Sequence, residues 1–240
     1  VTKSLEVYDQ IPESAMVIMA HPDDAEFTAA GTVARWTRGG SRVVYLLVTD
    51  GDKGTSDPNL AGATLSATRR AEQVAACKAV GVDTVEFLHY EDGMVEPTLA
   101  LRRDIARIIR KHKPYAVICP NPILFFGGRN YVNHPDHRAV GEAALSAVYP
   151  SARDGLTFPG LLAEGYQPHK VSEVFIGMGE EADVIVDVSE TIGLKVESLR
   201  AHASQLGDWD PTEEMDKWAR EAAADQTFSH GERFRHLKLE

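Results

Sequence analysis

The chain has 240 residues, enough for one large domain or two small ones with a sizeable core and no covalent staples. Lys and Arg total 25 against 36 Asp and Glu, a formal charge of −11; with 43% apolar and 25% charged residues this is a soluble globular composition, which excludes disordered and fibrous classes and disfavours nucleic acid and anionic lipid as partners. Two cysteines, Cys77 and Cys119, exclude a disulfide framework and a four-thiolate metal site and fit a cytoplasmic location, leaving metals and neutral small molecules as candidate ligands.

Residues 1–14 carry charges and a proline, with no apolar run of leader length. The first strand is expected at 16–20, followed by a helix over 25–38 that Gly39-Gly40 ends. Residues 42–49 are almost wholly apolar, the pattern of a strand covered by helices on both faces. A helix over 64–80, closed by Gly81, leads to a strand at 84–90. Over 99–111, Leu101, Ile105, Ile108 and Ile109 share one face of an amphipathic helix, which Pro114 stops. A fourth strand is expected at 115–119. The uncharged run 114–128 that contains it is shorter than the roughly 20 residues of a membrane span and is broken by Pro120 and Pro122, so no membrane insertion is expected.

A loop over 120–133 precedes a helix over 136–148, and 150–168, rich in Pro and Gly, is predicted to be irregular. Runs at 171–176 and 184–188 are close enough in sequence to pair, with a helix after them at 192–205. Residues 208–240 read as a charged C-terminal extension whose Trp209, Trp218, Phe228 and Phe234 would suit a subunit contact, as in a homo-oligomer. Strand and helix alternate, so the expected fold class is α/β: a Rossmann-like, doubly wound, mainly parallel sheet with helices on both faces, forming a single domain over 1–240.

Ligands of open α/β sheets bind beyond the carboxyl ends of the strands. The first strand runs into Ala20-His21-Pro22-Asp23-Asp24-Ala25-Glu26. In a tight turn His21 and Asp24 could converge on one cation and leave Asp23 free of it; equally, Asp23 or Asp24 could cap the following helix, with His21 a satisfied edge residue. The second cluster, Asn133-His134-Pro135-Asp136-His137, follows the fourth strand and its loop, and a doubly wound sheet brings it to the same edge. Two His, one carboxylate and an open position make a catalytic zinc arrangement, in which a bound water has its pKa lowered to about 7. Together the clusters favour a metal site over two unrelated surface motifs.

Ala-His-Pro-Asp-Asp at 20–24 paired with His-Pro-Asp-His at 134–137 resembles the PIG-L/LmbE-like zinc-dependent de-N-acetylases, a family that deacetylates N-acetylglucosaminyl-phosphatidylinositol and the sugar precursors of mycothiol and bacillithiol. Supporting matches extend from about 17 to 205: Thr49-x-Gly51-x-x-Gly54, Arg69-x-x-Glu72, Asp92-Gly93, and Lys195 with His202-x-Ser204-Gln205. The resemblance implies Zn2+, with Fe2+ as another fit, held by His21, Asp24 and His137, and Asp23 as general base toward zinc-bound water. It implies that His134 stabilises the oxyanion or protonates the leaving amine, that Asp136 holds an imidazole from behind, and that Arg69 and Asp92 face the substrate. The implied reaction is removal of an N-acetyl group from a small compound of the N-acetylglucosamine or glycoside type.

Some family members carry a tyrosine two residues before the first His of the second motif; that position here is Val132, with Tyr131 beside it. On residue chemistry alone Arg69 could equally pair with Glu72, Asp92 could be a turn residue, and Glu26 is a first-turn helix acid. His202 is expected to be a buried, hydrogen-bonded helix residue. Gly177-Met178-Gly179-Glu180-Glu181-Ala182 mimics a dinucleotide fingerprint, but two acids would face the pyrophosphate and it runs into another strand where a helix N-terminus is required. The rival functions are an iron(II) oxygenase on the same two-His, one-carboxylate face, and a non-catalytic sugar-binding protein on the same fold.

Overall fold

The computed structural model describes residues 5–177, 179 and 181–239. Four central strands lie side by side in parallel: β2 (Ser14–Met19) pairs with β3 (Arg42–Thr49) on one side and with β5 (Ala116–Pro120) on the other, and β3 pairs with β4 (Thr84–Tyr90). Every residue of β2 is buried because helices cover both of its faces. Met16 and Ile18 share one core with Leu101, Ile105 and Val140, from α4 (Leu99–His112) and α5 (Pro135–Ser146). Ala15, Val17 and Met19 share the other with Ala25, Val33, Trp36 and Cys77, from α1 (Asp24–Thr28), α2 (Ala30–Arg38) and α3 (Ala63–Ala79). This is the doubly wound, mainly parallel α/β sheet expected from the alternation of strands and helices.

Beyond β5 lies β8 (Glu173–Gly177), again parallel, and at the far edge β9 (Val184–Asp187) pairs with β1 (Glu6–Val7). β8 and β9 do not pair with each other, contrary to expectation. Between them runs β10 (Gly231–Lys238), antiparallel to both, which completes an 8-stranded sheet in the order β1-β9-β10-β8-β5-β2-β3-β4. Residues 208–239 are therefore not an extension. They supply an interior strand with buried Phe234, and α9 (Thr212–Ala222), whose Met215 packs on Val196 and Leu199 of α7 (Ile192–Arg200). Buried Glu232 of β10 accepts from the backbone N–H groups of Gly31 and Thr32 and from Lys195 Nζ, which ties the strand to the first turn of α2 and to α7.

Two expected helices are broken in two. The stretch 25–38 divides at Ala29 (φ −142°) into α1 and α2, and 192–205 divides at His202, which precedes α8 (Ala203–Leu206). The stretch 150–168 is more ordered than predicted: a wide helical turn over Ala147–Ala152 and a short helix, α6 (Gly160–Ala163), enclose Arg110 of α4. Arg110 is 1% exposed, and its guanidinium donates to the carbonyls of Ala152, Tyr166, Ser151, Asp154 and Thr157. Arg110→Met keeps most of the volume and strands those acceptors, so a loss of about 3 kcal/mol in urea unfolding is expected; a shift within ±0.5 kcal/mol would mean that the carbonyls reach water.

The chain leaves β2 for β3 and β4 on one side and returns to β5 on the other. The end of β2 is therefore the topological switch point, where a crevice opens between the outgoing connections. The β5 connection carries a small hairpin, β6 (Phe126–Gly127) with β7 (Tyr131–Val132), just before α5. Among the described residues no helix is long and apolar enough to cross a membrane.

Candidate active site

His21 and Pro22 leave β2 in a turn that Asp23 completes at φ 97° and ψ −27°, and α1 begins at Asp24. Asp23 occupies the capping position but makes no side-chain cap bond, so helix capping does not account for its carboxylate. Asp24 Oδ2 accepts from the His21 backbone N–H at 2.8 Å and lies 3.4 Å from His21 Nδ1, while Asp24 Oδ1 lies 3.0 Å from His137 Nε2. The ligand atoms of His21, Asp24 and His137 all fall within 4.8 Å of one another and are buried.

The far nitrogen of each imidazole is already engaged. His137 Nδ1 donates to Asn133 Oδ1 at 2.9 Å, and Asn133 is itself locked by its amide on the Leu124 carbonyl. His21 Nε2 faces Asp136 Oδ2 at 3.2 Å and Asp92 Oδ1 at 3.1 Å. Asp136 is fully buried and also accepts from the backbone of Gly93 and Val95, so it joins the start of α5 to the loop after β4. These contacts leave His21 Nδ1 and His137 Nε2 as the basic nitrogens, turned toward one carboxylate. That is a donor set for a divalent cation, with the outer hydrogen bonds that orient metal-binding histidines.

The electrostatics fit the same reading. Burial alone would push Asp24 up, but the two imidazoles hold its carboxyl well below the ordinary range. Burial would lower His21, yet Asp24, Asp136 and Asp92 raise it well above an ordinary histidine. Asp92 sits at about 2 despite burial, held down by His21 and the Lys53 N–H. Three ionised carboxylates around two imidazoles leave a surplus of negative charge for a cation to balance.

A second grouping, His21, His134 and Asp136, also falls within ligand distance. It is the poorer cradle. Asp136 is committed to two backbone N–H groups and to His21, and His134 Nδ1 accepts from the Asp136 N–H at 3.2 Å as the cap of α5. That bond makes Nε2 the protonated nitrogen of neutral His134, a donor rather than a ligand. Burial and the neighbouring His21 lower the His134 pKa, which favours the neutral ring.

Asp23 stands outside the three-donor set. Its Oδ2 accepts from Arg69 Nη2 at 3.0 Å, and burial pushes its carboxyl up to about 7 with a contribution from Asp24, against the pull of Arg69. Arg69 makes no ion pair with Glu72, which instead holds Ser204; the guanidinium is buried and also donates to the carbonyls of Pro22 and Gly51. A side chain at Gly51 or Gly54 would collide with that guanidinium, so both glycines let the loop after β3 lie flat on Arg69. Asp92 is a turn residue, as its sequence context allows, and its carboxylate is buried against His21.

His21, Asp23, Lys53, Gly54, Arg69, Asp92, Gly93 and His134 line one cleft of about 270 Å³. A larger hollow of about 610 Å³ between Arg35, Arg38 and residues 187–191 lies against α2 and gathers none of these groups. Tyr131 donates its hydroxyl to Asn133 Oδ1 and so backs the His137 support. Glu26 is a first-turn acid of α1, as expected, and is buried and bonded to Gln73. His202 is fully buried 3.3 Å from Glu26 Oε2, but its ring nitrogens lack hydrogen-bond geometry to any described group, and it lies at a helix break rather than within a helix. Met178 and Glu180 of the glycine-rich decoy lie outside the described residues.

Residue chemistry alone gives no role to Asn133 or Gln73. Asn133 opens the second cluster four residues before His137, the spacing of a hydrogen-bond partner for a histidine one helical turn on. A lone Gln on a helix carries no such signal.

Comparison with known proteins agrees with this geometry. The family model described as "PIG-L: GlcNAc-PI de-N-acetylase" matches residues 16–148, which span both motifs. Diacetylchitobiose deacetylase of Thermococcus kodakarensis is 31% identical over 204 residues, covering 83% of this chain and 74% of that protein. A probable N-acetyl-alpha-D-glucosaminyl L-malate deacetylase 2 of Bacillus subtilis is 30% identical over 202 residues, 80% of this chain and 83% of that protein. Among solved structures, inhibitor-bound N,N'-diacetylchitobiose deacetylase of Pyrococcus horikoshii superposes with a TM-score of 0.87 at 29% identity, covering 95% of this chain and 84% of that one. The sheet order, the two motifs at its switch point and these matches lead to one assignment: the chain belongs to the PIG-L family.

Proposed function

We propose that this chain is a metal-dependent N-deacetylase that hydrolyses the acetamide of a small amino sugar or its glycoside, with zinc as the expected cation. The observation that carries the reading is the Asp23 carboxylate, half-buried beside His21, Asp24 and His137 but bonded to Arg69 instead of joining them. A purely binding protein has no use for a free base at that position. The relatives named as deacetylases of N-acetylated sugars support the substrate class. A cleft of about 270 Å³, just below the usual range of ligand pockets, suits a single sugar ring.

His21 Nδ1, Asp24 and His137 Nε2 would hold the cation, which when bound polarises the acetyl carbonyl and acidifies a water. Asp23 takes the proton from the attacking water as its oxygen closes on the carbonyl carbon. Neutral His134 presents Nε2–H to the carbonyl oxygen as it becomes negative, a donor aimed where charge develops. Asp136 and Asp92 keep His21 in one orientation, and Arg69 keeps the Asp23 carboxylate turned into the cleft. The C–N bond then breaks, the nitrogen leaves as the amine with the proton that Asp23 took, and acetate remains. Lys53 and Asp92 line the cleft and would meet sugar hydroxyls there, Asp92 beside its hold on His21.

Acetate release from a panel of N-acetylglucosamine glycosides and N,N'-diacetylated disaccharides tests the reading. Release is expected for at least one compound, with loss on chelation and recovery on adding Zn2+. No release from any of them, or dioxygen consumption with a 2-oxoacid, would overturn it; the second result would point to the iron(II) alternative.

A further inference from the structure

Asp23 is one of four non-glycine residues with positive φ among the described residues, and at 97° it sits where a side chain meets its own backbone. Something must hold it there. Its backbone N–H belongs to the unpartnered first turn of α1, and Gln73 Oε1 of α3 accepts it at 3.1 Å. The same amide donates through Nε2 to Glu26 Oε1 at 2.9 Å. Gln73 and Glu26 are both fully buried, so one side chain bridges the residues on either side of Asp24 without help from water. The amide cannot be reversed, because its NH2 would then face the Asp23 N–H and its oxygen would face a carboxylate. One helical turn earlier, Arg69 holds the Pro22 carbonyl at 2.5 Å and Asp23 Oδ2 at 3.0 Å.

We propose that Gln73 is a positioning residue: with Arg69 it clamps Asp23 in the left-handed turn, so that consecutive carboxylates point apart, Asp24 to the two imidazoles and Asp23 into the cleft. The role rests on the reading of Asp23 as the base. In a relaxed right-handed backbone the Asp23 side chain would swing away from Arg69, and the base would move relative to the water it must deprotonate. A displacement of about 1 Å in a reacting group can cost on the order of 100-fold in rate.

The test compares wild type, Gln73→Leu, and the exchange Gln73→Glu with Glu26→Gln. In the exchange a carboxylate at 73 accepts from the Asp23 N–H and from the amide at 26, which restores both bonds with the acid and amide traded. Gln73→Leu is expected to lower kcat by roughly 10- to 100-fold at unchanged KM and unchanged metal per chain, and the exchange to recover most of it. A crystal structure of Gln73→Leu should show Asp23 out of the positive-φ region, a readout independent of turnover. Wild-type kcat in Gln73→Leu, a rate loss that tracks metal loss, or an exchange variant as slow as Gln73→Leu would each overturn the proposal. If Gln73→Leu does not fold, Gln73→Met decides by the same split of kcat against KM. Activity retained in Asp23→Asn would refute the base assignment itself, whereas inactive Asp23→Asn beside unimpaired Gln73→Leu would refute the clamp alone.

Discussion

Replacing Asp23 by asparagine is expected to lower kcat for acetate release by roughly 10²- to 10⁴-fold, with KM and bound metal close to wild type. Asparagine is the informative substitution because its side-chain oxygen can still accept from Arg69 Nη2, as Asp23 Oδ2 does, so the turn keeps its anchor and only the ability to take a proton is removed. The metal should stay because Asp23 is not among the grouped ligand atoms of His21, Asp24 and His137. The direction of the pH effect follows from the base role. Burial pushes the Asp23 carboxyl up to about 7, Arg69 pulls against that, and a bound cation would pull further down. The base works only when ionised, so wild-type kcat/KM should fall as pH drops through its working pKa, and that acid limb should vanish in Asp23→Asn. Parallel pH profiles for the two proteins would assign the limb to another group. Loss of metal from Asp23→Asn would mean that Asp23 and Asp24 have exchanged roles.

Much of this site is legible in the sequence because its parts are local. His21, Asp23 and Asp24 lie within one turn, and His134, Asp136 and His137 within another. The alternation of strands and helices is enough to bring both turns to one sheet edge. The central strands are legible for a related reason: covered on both faces, β2, β3 and β5 are continuous apolar runs that no solvated element resembles.

What escapes sequence reasoning depends on distant partners. β10 reads as a charged tail because Glu232, Arg233, Arg235 and Lys238 interrupt it. It is an interior strand because Glu232 is neutralised by Lys195 and satisfied by the α2 N-terminus, 200 and 201 residues away in sequence. Arg69 illustrates the same limit. Helical spacing offers it Glu72, but Glu72 is taken by the backbone and hydroxyl of Ser204, and the guanidinium turns inward to Asp23. The breaks at Ala29 and His202 carry no proline, and the helical periodicity runs through both, so it gives no warning of them. Both lie beside the site: the first separates α2 from α1, which opens on Asp24, and the second brings His202 to 3.3 Å from Glu26 Oε2.

Asp24→Ala is expected to abolish stoichiometric metal binding, and activity with it, whereas Asp136→Asn should weaken binding by about 10- to 100-fold and leave activity recoverable with excess metal. The contrast follows from what each carboxylate touches. Among the described residues Asp24 is the only anionic group facing both His21 Nδ1 and His137 Nε2; without it two neutral nitrogens remain, too few to compete with water for a divalent cation. Asp136 reaches the far nitrogen of His21 and two backbone N–H groups, so its loss disturbs the direction and basicity of one ligand but removes none. Because His21 carries a raised pKa while its carboxylate neighbours are unneutralised, the cation must displace a proton there, and uptake should strengthen as pH rises. Metal per chain after dialysis, followed by competition with a chelator of known affinity, ranks the variants. The reverse ranking, with Asp24→Ala still loaded and Asp136→Asn empty, would move the cation to the alternative grouping of His21, His134 and Asp136. In that arrangement His134 would be a ligand through a ring whose Nδ1 caps α5, and it could no longer serve as the donor to the oxyanion.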